Sequence, residues 1–133
     1  MAYKLGKRSK KRLKGLHPDM VKVVELAITY TEVDFTVLET VRTLKRQKQL
    51  VKSGASTTMN SRHLVGPNGY AMAVDLGAYV GGKVRWDWPL YYKIEKAMKK
   101  AAKKLGVQIT WGGDWKSFKD GPHYQLSWKH YPK

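Results

Sequence analysis

The chain has 133 residues, no cysteine, and 26 Lys and Arg against 10 Asp and Glu, for a formal charge of +16. With 42% hydrophobic residues, five Trp and eight Tyr, it is long enough and apolar enough to bury a core, which excludes a disordered polycation. The lack of cysteine excludes a disulfide framework and any thiolate metal site, and no apolar run of about 18 residues is present to span a membrane.

Half of the basic residues fall in two blocks, residues 4–14 and 93–104. Such a surplus suits a polyanionic partner: nucleic acid, an anionic membrane, or the polymers of a bacterial envelope; charge alone does not choose among them. A solvated face or a frayed tail is the structural alternative for both blocks. The first block is not followed by the apolar stretch of a signal peptide, so synthesis in the cytosol without an export address is expected.

In chain order, Pro18 and Asp19 open a predicted helix that runs to about residue 30, with Met20, Val23, Val24, Ala27 and Ile28 on one stripe. Residues 33–39 alternate as a strand, Arg42 stands at a junction, and residues 43–52 read as a polar helix stopped by Gly54. A small polar loop covers residues 54–60, apolar patterning returns at 61–65, and Gly66-Pro67-Asn68-Gly69 is a turn. Residues 70–78 are a predicted strand. Residues 86–105 are a second long helix, entered through Asp87 and Pro89 and ended at Gly106. Short strands at 107–111 and 123–126 flank a loop rich in Gly, Asp and Lys. No repeat or linker divides the chain, and the mixed order predicts one α+β domain over residues 1–133 with a basic N-terminal segment, 1–15.

Four residues in two short stretches carry candidate chemistry: His63 and Asp75, then Asp120 and His123. Two imidazoles and a carboxylate are three N/O ligands of the kind a catalytic zinc uses, with a fourth position left for water and a second carboxylate near it. If 66–70 is the turn of a hairpin, His63 and Asp75 face each other across it, and His123 joins them from another strand of the same sheet. Asp120 and His123 are three apart, which on a straight strand puts them on opposite faces; Gly121 and Pro122 bend the chain so that both can address one water. His17, before a helix, and His130, in the terminal segment, are read as structural. Asp114 can cap a turn or touch substrate, and Trp86, Trp88, Trp111 and Trp115 are read as core and cleft wall, with sugar stacking open to them.

Ser61-Arg62-His63-Leu64-Val65-Gly66 followed by Ala73-Val74-Asp75 resembles the first motif of the zinc D,D-carboxypeptidase and L-alanyl-D-glutamate endopeptidase family, whose fold is shared with the hedgehog signalling domain. Asp120-Gly121-Pro122-His123 resembles its second motif. Arg42-Thr43 with Gln47, Lys52-Ser53-Gly54 and Trp111-Gly112-Gly113-Asp114-Trp115 extend the likeness over most of the chain, most nearly to single-domain phage endolysins. The resemblance implies a small antiparallel sheet carrying the site and packed with helices, one Zn²⁺ on His63, Asp75 and His123, Asp120 as general base, and Arg42 beside the oxyanion. It places Ser61 and Gln47 near substrate, and Asp114 and Trp115 join them as weaker candidates. The interval from His63 to Asp75 is longer than the family pattern by an odd number of residues, which inside a strand would turn Asp75 to the other face. The surplus must be looped out, and Pro67-Asn68-Gly69 has the turn chemistry to do it.

The implied reaction is hydrolysis in the stem peptide of peptidoglycan, at the bond between L-alanine and D-glutamate, with release of terminal D-alanine as the nearest alternative. The implied protein is a monomer made in the host cytoplasm that acts on the cell wall, with the basic surface drawing it to an anionic envelope. A basic nucleic-acid-binding protein is the alternative from another class; binding alone gives no reason for these four residues to fall in these motifs, and no dedicated nucleic-acid partner is expected. A non-catalytic metal module is a third reading, against which Asp120 speaks by supplying a base.

Overall fold

The computed structural model describes residues 3–56, 61–117 and 119–132. Among these, four helices pack with one antiparallel sheet, the expected α+β class. The order is α1 (Lys7–Arg12), α2 (Pro18–Tyr30), β1 (Phe35–Glu39), α3 (Leu44–Lys52), β2 (Ala73–Val80), β3 (Lys83–Arg85), α4 (Trp88–Leu105), β4 (Ile109–Trp111), a 3₁₀ turn (Gly112–Asp114) and β5 (His123–Leu126). The sheet runs β1-β2-β5-β4, with β3 paired to the far end of β2.

Strand alternation sorts the sheet into two faces. Val74, Leu76 and Ala78 of β2, Tyr124 and Leu126 of β5, and Phe35 and Val37 of β1 are buried in one core with the stripes of α2 and α4. Each fully buried aliphatic there contributes about 1.5–3 kcal/mol of transfer free energy, set against the entropy of ordering the chain. The intervening positions, Asp75 on β2 with His123 and Gln125 on β5, point the other way and are free to carry chemistry.

Helix boundaries follow local rules. The His17 ring Nδ1 accepts the Asp19 N–H at 3.1 Å and Pro18 opens α2; Thr43 Oγ1 accepts the Arg46 N–H at 3.1 Å and opens α3. The second long helix starts at Trp88, two residues later than its pattern predicts, because Asp87 is its extended N-cap residue ahead of Trp88-Pro89 and its carboxylate accepts from Arg85 instead of capping the helix. β2 and β3 form a hairpin through Gly81 and Gly82, both at positive φ (61° and 78°), the conformation a two-residue turn between twisted strands demands.

Two expectations need correction. Residues 61–65 are not a strand and make no hairpin with β2; they form a turn with one parallel bridge, Leu64 to Arg42. The basic N-terminal block is not a frayed tail either. Leu5, Ser9 and Leu13 point inward at four-residue spacing, Ser9 Oγ accepts the Val37 N–H at 3.0 Å, and Arg12 donates to the Val37 carbonyl at 2.9 Å. Helix α1 thus covers the outer edge of β1, while Lys7, Arg8, Lys10 and Lys11 face solvent. Of the predicted loop at 54–60, residues 57–60 lie outside the described residues, as does 118 in the later loop. No helix among the described residues is long and apolar enough to cross a membrane.

Candidate metal centre

The antiparallel register of β2 and β5 pairs Asp75 directly with His123. Both side chains lie on the face away from the helices, and Asp75 Oδ1 is 3.2 Å from His123 Nδ1. On the other side of β2 a bulge at Leu38 brings Glu39 opposite Asp75 and turns the chain so that residues 39–42 run along the site.

His63 arrives by a different route. Its carbonyl accepts the Arg42 N–H at 2.8 Å, its own N–H is held by Ser61 Oγ at 3.1 Å, and the Met72 N–H bonds the Arg62 carbonyl at 2.7 Å. These ties set the ring 2% exposed, with Nε2 3.2 Å from Asp75 Oδ1. The surplus residues between His63 and Asp75 are looped out: the Gly66 N–H bonds the Tyr70 carbonyl at 3.0 Å, and the Gly69 N–H bonds the Gly66 carbonyl at 2.9 Å. Asp75 therefore keeps the face the chemistry needs.

The one donor atom each of His63, Asp75 and His123 lie within 4.8 Å of one another. Hydrogen bonding on the far side of each ring decides what those atoms are. His63 Nδ1 faces the Thr40 carbonyl at 2.9 Å, and His123 Nε2 faces the Gln125 Oε1 at 2.8 Å. A carbonyl oxygen can only accept, so each of these nitrogens carries the hydrogen, and in its neutral form each ring turns a lone pair toward Asp75. Three acceptors then converge with no donor between them, which is the environment a cation relieves. The 3.2 Å spacing also fits, since ligands 2.0–2.1 Å from a tetrahedral ion stand about 3.3 Å apart. The set fits a divalent metal, with outer carbonyls orienting both imidazoles as metal-bound histidines are oriented.

A proton is the substitute for the cation. Burial opposes a charged His123, yet the Asp75 carboxylate, helped by Gln125 and Asp120, raises its pKa above the ordinary imidazole value. Burial would likewise raise the Asp75 carboxyl, but hydrogen bonds and positive charge from His123 and His63 hold it well below the usual carboxylate range.

Asp120 enters from the bend ahead of β5. Its N–H bonds the Gly112 carbonyl at 3.1 Å, the Trp111 indole donates to the Gly121 carbonyl at 2.7 Å, and the Leu76 N–H bonds the Pro122 carbonyl at 2.9 Å. Gly112 is obligatory there, because a Cβ would run into the Asp120 carbonyl. The pinned bend puts Asp120 and His123 on the wall of one cleft of about 710 Å³, together with His63, Asp75, Arg42 and Ser61. Burial raises the Asp120 pKa, repulsion from Asp75 adds to it, and His123, His63 and Arg42 offset only part. A carboxylate so disposed takes up a proton more readily than an exposed one.

Arg42 lines the cleft with its guanidinium clamped from behind: Nε donates to Glu39 Oε1 at 2.8 Å, Nη2 bonds the same oxygen, and Nη1 donates to Gln47 Oε1 at 2.8 Å. Gln47 is fully buried and holds Arg42 instead of lining the cleft. Ser61 and Trp115 do line it, Trp115 with its ring centroid 5.0 Å from that of His123. Asp114 is not among the lining residues; its carboxylate accepts from Lys99 at 2.8 Å. His17 and His130 make the local bonds expected of structural residues. Glu39, the Thr40 carbonyl and Gln125 were missed from sequence. Gln125 had a signal, two positions beyond His123 on a strand and so on the same face.

The family model described as phage L-alanyl-D-glutamate peptidase matches residues 1–126. The L-alanyl-D-glutamate peptidase of Escherichia phage T5 is 32% identical over 124 residues, 90% of this chain and 87% of that protein. The L-alanyl-D-glutamate peptidase of Listeria phage A118 is 39% identical over 99 residues, 74% of this chain but 32% of that longer protein. Among solved structures, the Serratia marcescens L-Ala D-Glu endopeptidase ChiX superposes with a TM-score of 0.88 at 43% identity, covering 96% of this chain and 92% of its own.

Proposed function

We propose, for a chain that belongs to the phage L-alanyl-D-glutamate peptidase family, that the cleft hydrolyses the L-alanyl-D-glutamate bond of the peptidoglycan stem peptide with one zinc ion held by His63, Asp75 and His123. The observation that carries this reading is the convergence of three acceptor atoms beside a second, proton-seeking carboxylate. Zinc in such a site supplies a Lewis acid for the scissile carbonyl and acidifies water to a pKa of about 7.

The protein's own groups do the rest. Asp120 takes the proton of the attacking water and passes it to the departing amine of D-glutamate, so the proton count balances over the cycle. Arg42, immobilised by Glu39 and Gln47, holds a fixed positive charge where the carbonyl oxygen becomes anionic, at no cost in reorganisation. The Thr40 carbonyl and Gln125 keep both imidazoles in the tautomer that presents a lone pair.

The chain acts as a single monomeric peptidase domain, and its exposed cations on α1 and α4 concentrate it on an anionic envelope at low ionic strength. Digestion of purified peptidoglycan by wild type, Asp120→Ala and a chelator-treated sample, with new chain ends identified by mass spectrometry, tests the reading. New N-terminal D-glutamate is expected from the wild type alone. Release of D-alanine would move the assignment to a carboxypeptidase, and undiminished cutting by Asp120→Ala would remove it as the base.

A further inference from the structure

The metal cleft shares Ser61, Arg62 and Trp128 with a smaller cavity of about 150 Å³. Its remaining walls include Leu64, Pro67, Asn68 and Met72, so it lies against the looped-out turn and is mainly apolar with one amide. Trp128 stands at the boundary between the two spaces and is 39% exposed. The Arg62 guanidinium covers one face of the indole, 3.5 Å from the ring centroid. Arg62 is itself 5% exposed and donates to the Tyr131 carbonyl, so cation and ring are a fixed pair that leaves only the other face of the indole for a ligand.

Neither the indole nor the side cavity is needed to break a peptide bond. Their position suggests what they meet. In peptidoglycan the L-alanine of the stem peptide is amide-linked to the lactyl group of an N-acetylated muramic sugar. With the L-alanine carbonyl at the metal-facing atoms, that sugar lies about two residue lengths away, roughly 8 Å. Trp128 lines the same cleft as His63, Asp75 and His123, so a substrate seated at the metal-facing atoms can extend along that wall to the indole. A rigid indole face suits the C–H face of a pyranose, and a small apolar recess with an amide suits an acetamido group.

Building on the peptidase reading, we propose that Trp128 and the side cavity form a subsite for the N-acetylated sugar that carries the stem peptide. The indole stacks on the ring, and the recess beside Leu64, Asn68 and Met72 takes the acetamido group. The subsite gives the enzyme a preference for stem peptides still attached to glycan over free peptides of the same sequence.

Two synthetic substrates test it: an N-acetylmuramoyl stem peptide, and the same peptide with a plain acetyl group in place of the sugar. Wild type is expected to favour the first. Trp128→Leu should lower kcat/KM on the muramoyl substrate about tenfold, chiefly through KM, and change the sugarless substrate less than about twofold. Trp128→Phe should recover part of the loss, and Leu64→Phe, which fills the recess without touching the indole, should give the same selective loss. Equal losses on both substrates, or none on either, would overturn the subsite. If wild type cut neither substrate between L-alanine and D-glutamate, the peptidase reading itself would fall, and the subsite with it.

Discussion

The seam between β2 and β5 and the segment from Ser61 to Met72 bring metal-facing groups to one point by different means. On the seam, Asp75 and His123 are a cross-strand pair, and a ladder buried on its other face by Val74, Leu76 and Tyr124 sets their spacing. On the segment no ladder exists; His63 is placed by the Arg42 bridge, the Ser61 hydroxyl and the Thr40 carbonyl. The first arrangement inherits its precision from the core. The second depends on a handful of hydrogen bonds, and so it can take up extra residues at 66–70 without disturbing the partner strand.

This contrast can be broken or sharpened by experiment. The largest expected effect is for His123→Ala, which removes a group from the stiff side of the site: bound zinc, measured by atomic absorption, should fall from one equivalent to none, with activity beyond detection. Retention of stoichiometric zinc would contradict the ligand set. Asp120→Asn should keep zinc and the fold but lower kcat by about 10²–10⁴, since it removes only proton transfer. A variant with unchanged kcat, or one that loses zinc, would place Asp120 elsewhere in the mechanism.

The orienting groups distinguish the two regions directly. His123 is oriented by a side chain, so Gln125→Leu should weaken zinc binding by about 10–100-fold in competition with a chromophoric chelator. His63 is oriented by a backbone carbonyl that survives any change of side chain, so Thr40→Ala should leave zinc affinity within about threefold. Equal effects would erase the distinction. A smaller effect follows from the raised His123 pKa: the metal must displace a proton there, so apparent affinity should rise with pH and level off once that pKa is passed. Calorimetry in buffers of different ionisation heat should detect the released proton, and affinity that fell with rising pH would have the wrong sign. The smallest change expected is for Ser9→Ala, which removes the acceptor of the Val37 N–H and should cost about 1–2 kcal/mol in denaturant unfolding with zinc affinity intact.

Legibility in the sequence followed the locality of the physics. The stripe from Met20 to Ile28 behind Pro18 and the strand at 123–126 were readable because periodicity and capping act within a few residues. Helix α1 was not, since Lys-Arg-Ser-Lys-Lys-Arg holds no apolar residue and its anchors, Leu5 and Leu13, lie just outside it. Residues 61–65 imitate a strand through Leu64 and Val65, but their partners are backbone groups at positions 42 and 72, which no local pattern announces. In the site, residue types suggested His63, Asp75, Asp120 and His123 and the resemblance to the family motifs selected them as a group; all four line one cleft. The Thr40 carbonyl was invisible because any residue supplies one, and the burial of Gln47 behind Arg42, at a position the resemblance places near substrate, is a tertiary fact that no local pattern announces.

Helix α1 also limits how this protein can be re-engineered. Its outward lysines and arginines can be exchanged to tune surface charge, because Lys7, Arg8, Lys10 and Lys11 are exposed. Deleting the N-terminal segment is a different operation. Leu5, Ser9 and Leu13 would leave with it, the backbone of Val37 would lose its N–H and carbonyl partners, and an open strand edge would face other molecules in a concentrated preparation. A truncated enzyme designed for lower charge would thereby trade electrostatic stickiness for a tendency to associate through β1.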